Sequence, residues 1–173
     1  FKEALKEEEK SRKHKGLLLI DSNQKEAENY IIKAKENLRL CNLFREKGFD
    51  YKLPEEWFYT LYYCALSILA KVGVETRSQR CTAIFLRYIK DEGLIDYKDE
   101  YINRITVYKE KDKKSDVDER EKARYSSIVR INEVSEQYES MIEFCKQAIS
   151  QCEEIIFSNK DFTLEIKRLI EEK

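Results

Sequence analysis

Apolar side chains recur at spacings of three, four and seven through most of this chain, and almost nowhere do they alternate. The clearest case is Tyr138, Met141, Ile142, Cys145, Ala148, Ile149, Cys152, Ile155 and Ile156. That period places all of them on one face of a helix, the pattern of a bundle seam rather than of a strand. The spacing predicts a long last helix over about 119–157. A first helix opens at Asp21 or Ser22, carries Ala27, Tyr30, Ile31, Ala34, Leu38 and Cys41 inward, and ends near Gly48, a suitable residue just past a helix end.

Between them the pattern changes in kind. After Pro54, suited to a first helical turn where its missing N–H is no loss, residues 57–72 are apolar or aromatic nearly all round: Trp57, Phe58, Leu61, Tyr62, Tyr63, Ala65, Leu66, Ile68 and Leu69. A helix without a polar face is buried on most sides, so this one predicts the centre of the bundle. Gly73 closes it. Thr76 and Gln79 then read as a capping box for a helix through Cys81, Ile84, Phe85, Tyr88 and Ile89 that stops at Gly93. Tyr97 to about Tyr108 reads as a further helix. Residues 109–118 are almost wholly charged and read as an exposed loop. Phe162 to Ile170 makes a short amphipathic tail. The expected architecture is all-α: an up-and-down helical bundle of four to five main helices plus terminal helices. The expected division is a charged N-terminal extension (1–20), the bundle (21–158) and a C-terminal amphipathic helix (159–173).

Composition narrows this picture. Four Gly and one Pro in 173 residues leave little punctuation for a sheet protein. Charged residues make up 39%, yet 33 basic against 34 acidic groups give a net charge of only −1. Such a chain has no global attraction for nucleic acid or anionic membrane, so any phosphate site must be a local patch. Cys41, Cys64, Cys81, Cys145 and Cys152 include no Cys-x-x-Cys pair and sit among apolar residues. They read as buried reduced thiols and not as metal ligands, which predicts a reducing, cytoplasmic setting. No metal and no cofactor is expected. Gly16-Leu-Leu-Leu-Ile20 is too short for a membrane span or a signal-peptide core, so no membrane association is expected.

Candidate chemistry concentrates in Arg120-Glu-Lys-Ala-Arg-Tyr125. Cleaving RNA through its own 2′-hydroxyl needs a base, an acid and a cation for the phosphorane charge. Arg120 and Arg124 suit the charge role, since guanidinium meets phosphate in a bidentate way. Tyr125, with an ordinary pKa near ~10, is a poor base at neutral pH; Glu121 is the alternative. The only histidine, His14, lies in the charged N-terminal stretch. Arg77 and Arg80 flank a helix start where backbone N–H groups also favour anions. Lys113 and Lys114 add to a basic loop. The competing reading for all of these is a solvated charged face with weak surface pairs.

Taken in order, Tyr62-Tyr63-Cys64-Ala65 within an apolar helix, Arg77-Ser-Gln-Arg80 before the next, and Arg120-x-x-Ala123-x-Tyr125 before a long helix with Ala148 resemble the HEPN superfamily (higher eukaryotes and prokaryotes nucleotide-binding). The likeness spans roughly residues 22–157 and is closest to its small prokaryotic members with a Tyr-Tyr-Ala helix. It implies a helical bundle that forms homodimers and, in active members, a metal-independent ribonuclease with an Arg-x(4–6)-His signature at the dimer cleft. It also implies a toxin–antitoxin or defence setting with a nucleotidyltransferase-type antitoxin as partner. In this chain Arg120 matches the arginine, but Tyr125 stands where the histidine belongs. Ser127 stands where some members carry a modified tyrosine, and Arg124 replaces the Asp of the Arg-x-x-Ala-Asp-Tyr pattern. The expectation is therefore a protein that binds RNA or a nucleotide at an Arg-rich cleft. The alternatives are a metal-independent ribonuclease using Arg120 and Arg124 with Tyr125 or Glu121, and a non-catalytic protein–protein interaction module.

Overall fold

A computed structural model describes residues 16–106 and 131–171. A short strand β1 (Leu17–Leu19) leads into α1 (Gln24–Glu46). A 3₁₀ turn (Asp50–Lys52) follows, then α2 (Leu53–Val72), strand β2 (Val74–Thr76), α3 (Gln79–Asp91), α4 (Asp99–Ile105), α5 (Ile131–Ile156) and α6 (Thr163–Glu171). The fold is an all-α helical bundle, with a small two-stranded ribbon as its sole sheet among the described residues. Among those residues no helix is long and apolar enough to cross a membrane.

Helix α2 is the hub, as its all-round apolar sequence requires. Leu53, Trp57, Phe58, Leu61, Cys64, Ala65, Ile68 and Leu69 are all buried, while Tyr59, Tyr62 and Tyr63 pack half-buried at its edge. Pro54 sits in its first turn with Glu55 and Glu56, where the missing N–H is harmless and the carboxylates suit the positive helix end. Three cross-helix bonds fix directions around it. Ser67 Oγ donates to the Ala27 carbonyl at 2.7 Å, and Tyr138 OH to Asn42 Oδ1 at 2.6 Å. Cys152 Sγ reaches the Cys64 carbonyl at 3.3 Å. The start of α1 meets the end of α2, so these two run antiparallel; α5 also runs antiparallel to α1 and therefore parallel to α2.

Every apolar position of the 138–156 seam is buried. All five cysteines are free and buried. Burial pushes the Cys41 thiol up to about 12 and the Cys64 thiol well above its ordinary value. The Cys41 and Cys64 thiols stay protonated at neutral pH, and all five buried cysteines serve as small apolar fillers.

Three boundaries differ from the sequence expectation. Helix α1 opens at Asn23 rather than Asp21 or Ser22. Asn23 accepts from the Glu26 N–H at 3.0 Å, while Ser22 instead donates to the Lys71 carbonyl at 2.6 Å. Helix α4 begins at Asp99 and leaves Tyr97 as a buried residue ahead of it. Leu17–Leu19, within the stretch read as the charged extension, pair antiparallel with residues 74–76, Leu17 opposite Thr76 and Leu19 opposite Val74. An apolar run of three carries no period, so a strand whose partner lies over fifty residues away leaves no local signal. The expected helix through about 119–157 is described from Ile131 onward; His14, the 109–118 loop and residues 119–130 lie outside the described residues.

Candidate functional site

Of the residues singled out in sequence, Arg77 and Arg80 are described. Arg120, Glu121, Arg124, Tyr125, Lys113 and Lys114 lie outside the described residues. Arg77 and Arg80 are both exposed and stand on either side of the first turn of α3. The cap of that helix is Ser78, not the Thr76–Gln79 box expected. Ser78 Oγ accepts from the Cys81 N–H at 3.3 Å. Thr76 is held in the ribbon opposite Leu17, so its hydroxyl accepts from the Ser78 N–H at 3.1 Å instead. Gln79 is then released from capping, and its Nε2 donates to the Ile105 carbonyl at 3.2 Å.

This arrangement has a chemical consequence. The first turn of α3 carries no acidic side chain, so the positive end of that helix lies beside the exposed Arg77 and Arg80 side chains. Arg77 Nε lies 3.5 Å from Glu75 Oε1 with 70% of its side chain exposed, a pair too solvated to be worth more than about 1 kcal/mol. The Gln79–Ile105 bond places the end of α4 beside these arginines.

Sequence reasoning missed a polar cluster at the opposite end of α2. Arg45 Nη1 donates to Asp50 Oδ2 at 2.8 Å and to Ser135 Oγ at 2.6 Å; Ser135 Oγ donates to the same Asp50 oxygen at 2.8 Å. The Arg45 guanidinium also lies 5.1 Å from the centre of the Tyr138 ring. Asp50 is buried, and its Oδ1 has no hydrogen-bond partner. This cluster ties the start of α5 to the turn between α1 and α2. Arg45 and Asp50 are close in sequence across Gly48 and were legible as a pair. Ser135 comes from a different helix, and no local signal connects it to them.

Acid–base chemistry is scarce in the described part. Burial pushes the Tyr30, Tyr63, Tyr101 and Tyr138 hydroxyls above their ordinary range, which makes them worse bases. The Glu56 carboxyl is also pushed up, first by burial and then by the neighbouring Glu55. No group of three or more His, Cys, Asp or Glu side chains gathers where a metal ion would sit, among the described residues.

No protein-family model, no curated protein and no solved structure matches this chain. The fold defines a class: an all-α bundle with an arginine-flanked helix start at one end of its central helix and a half-buried ionic clasp at the other.

Proposed function

We propose that this protein is a HEPN-like bundle that binds RNA or a nucleotide on an arginine-rich surface, as a homodimer, in a toxin–antitoxin or defence setting. The observation that carries this reading is the exposed Arg77–Arg80 pair at the acid-free start of α3, beside the end of α4. Arg77 and Arg80 would bind phosphate there with Arg120, Arg124, Lys113 and Lys114. Burial raises the Tyr30, Tyr63, Tyr101 and Tyr138 hydroxyls and the Cys41 and Cys64 thiols away from base character, which favours binding over cleavage. The ribonuclease alternative assigns phosphorane charge to Arg120 and Arg124 and proton transfer to Tyr125 or Glu121. A nucleotidyltransferase-type antitoxin is the partner this reading carries.

The test is single-turnover cleavage and binding of labelled RNAs in EDTA, with wild type beside Arg120→Ala. Binding at low salt without cleavage, weakened in the variant while the oligomer persists, is expected. Cleavage that disappears in the variant would make the protein a metal-independent nuclease. Equal binding by both proteins would remove Arg120 from the site.

One observation favours the interaction module as a second reading. Ile32, Leu40 and Leu43 on α1, with Phe49 and Tyr51 beyond it, are large apolar side chains left exposed. Neither cleavage nor RNA binding in the experiment above would leave that reading standing.

A further inference from the structure

A groove of about 250 Å³ runs between α1 and α5, on a part of the surface separate from the start of α3. Its walls are Lys35, Leu38, Arg39 and Asn42 from α1, and Ile142 and Lys146 from α5. The α1 residues are spaced i, i+3, i+4 and i+7, so one helical face delivers all four, and Ile142 and Lys146 stand one turn apart on the facing helix. Three of the six are cations, one is an amide and two are apolar. No carboxylate lines the groove among the described residues.

The state of each polar group points to a ligand. Lys35 Nζ is 2.6 Å from Glu153 Oε1, so its charge is answered within the protein. Arg39 and Lys146 are exposed and enter no ion pair among the described residues. Tyr138 OH donates to Asn42 Oδ1 at 2.6 Å, which occupies the acceptor end of that amide and leaves its N–H₂ as a donor. The donor set is thus a guanidinium, an ammonium and an amide N–H₂ beside an apolar floor of Leu38 and Ile142. Guanidinium and amide donors suit the oxygens of a phosphate, and an apolar floor suits the face of a sugar or base.

We propose that the α1–α5 groove binds a nucleotide, with its phosphate held by Arg39, Lys146 and the Asn42 amide and its nucleoside lying on Leu38 and Ile142. The site draws on neither Arg120 nor the start of α3 for a ligand contact, so it stands whether or not those residues bind RNA. Two sources present the same chemistry: a free nucleotide, or the phosphorylated end of an RNA strand.

Calorimetric titration of the full chain at low salt tests this, with three probes: inorganic phosphate, adenosine 5′-monophosphate and a 5′-phosphorylated uridine hexamer. The variants are Arg39→Gln with Lys146→Gln, and Asn42→Asp, which keeps the acceptor for Tyr138 while replacing the N–H₂ donor by a negative oxygen. Both should weaken the monophosphate at least tenfold with melting temperature and helical circular dichroism unchanged, and Arg120→Ala should leave it as in wild type. A hexamer that binds tighter than the monophosphate, and loses that binding in the same variants, identifies an RNA end as the ligand. A hexamer no tighter than the monophosphate identifies a free nucleotide. The proposal is overturned by wild type that does not bind the monophosphate, by binding that both variants retain, or by binding lost in Arg120→Ala. Inorganic phosphate binding as tightly as the monophosphate would also overturn it, because the apolar floor would then contribute nothing.

Discussion

The two ends of α2 are held by different physics. At its C-terminal end the main chain does most of the work, with Ser22 Oγ donating to the Lys71 carbonyl and Lys71 Nζ to Gln24 Oε1 beside it. Gly73 takes the left-handed conformation (φ +80°), the Ile20 N–H donates to the Gly73 carbonyl at 3.0 Å, and the Asn23 N–H donates to the Ala70 carbonyl at 2.9 Å. With the β1–β2 ribbon, these bonds lock the entry to α1 against the exit from α2. At the N-terminal end the joint is made of side chains: Arg45, Asp50 and Ser135, drawn from three separate segments. Backbone joints depend on conformation and close approach; side-chain joints depend on charge and on each partner being present. The two ends should therefore fail in response to different substitutions.

The largest effect is expected at the backbone end. A Cβ on Gly73 would lie 2.7 Å from the Ile20 carbonyl oxygen and 3.3 Å from the Ser22 nitrogen, both main-chain atoms that cannot swing aside. Gly73→Ala should destabilise by about 2–4 kcal/mol in urea unfolding, combining that clash with the strain of positive φ. A loss under about 1 kcal/mol would mean the ribbon yields easily and the contrast between the ends is overstated.

Asp50→Ala should follow, at about 1–3 kcal/mol, because it strips both Arg45 and Ser135 of their acceptor. The figure stays at the lower end of buried pairs because 38% of the Arg45 side chain is exposed. The two ends are about 30 Å apart along α2. The Gly73→Ala, Asp50→Ala double variant should then be additive within about 0.5 kcal/mol. A larger coupling would show that the joints act as one.

The smallest effect is at Glu56, near the side-chain end. Burial and Glu55 raise its carboxyl pKa in the folded state, with Lys52 opposing. The folded protein therefore holds this proton more tightly than the unfolded chain does. Its contribution to stability is greatest at pH below the ordinary carboxylate range and is lost as pH rises through the raised folded value. Glu56→Gln should gain no more than about 0.5 kcal/mol at neutral pH, and the gain should vanish in acid. Equal gains at both pH values would assign the effect to packing instead of charge.

The contrast between the ends also marks how much of the molecule was legible in advance. Helix identity and inward faces followed from periodicity, since 3.6 residues per turn writes the buried face directly into the order of residues. Thus the 138–156 seam, the all-round apolar α2 and the glycine stops are as the spacing predicts. The ends were less legible. Which of several adjacent Ser, Thr and Asn residues caps a helix depends on what else competes for their side chains. Thr76 lost that role to Ser78 because the ribbon holds it elsewhere. Of the residues singled out as candidates, Arg77 and Arg80 do flank a helix start, as their spacing predicts, while the others lie outside the described residues.

By itself, then, the sequence determined that this is a helical bundle, which faces its helices bury, and which helix lies at the centre. Only tertiary structure decided that three leucines pair with a strand more than fifty residues away. It alone brought Ser135 onto the Arg45–Asp50 pair, and set Lys146 and Ile142 across from Arg39 and Asn42. The physical reason is common to all three. Local order dictates what each segment becomes and which side it turns inward, whereas the register of one segment against another is set by packing the whole core at once.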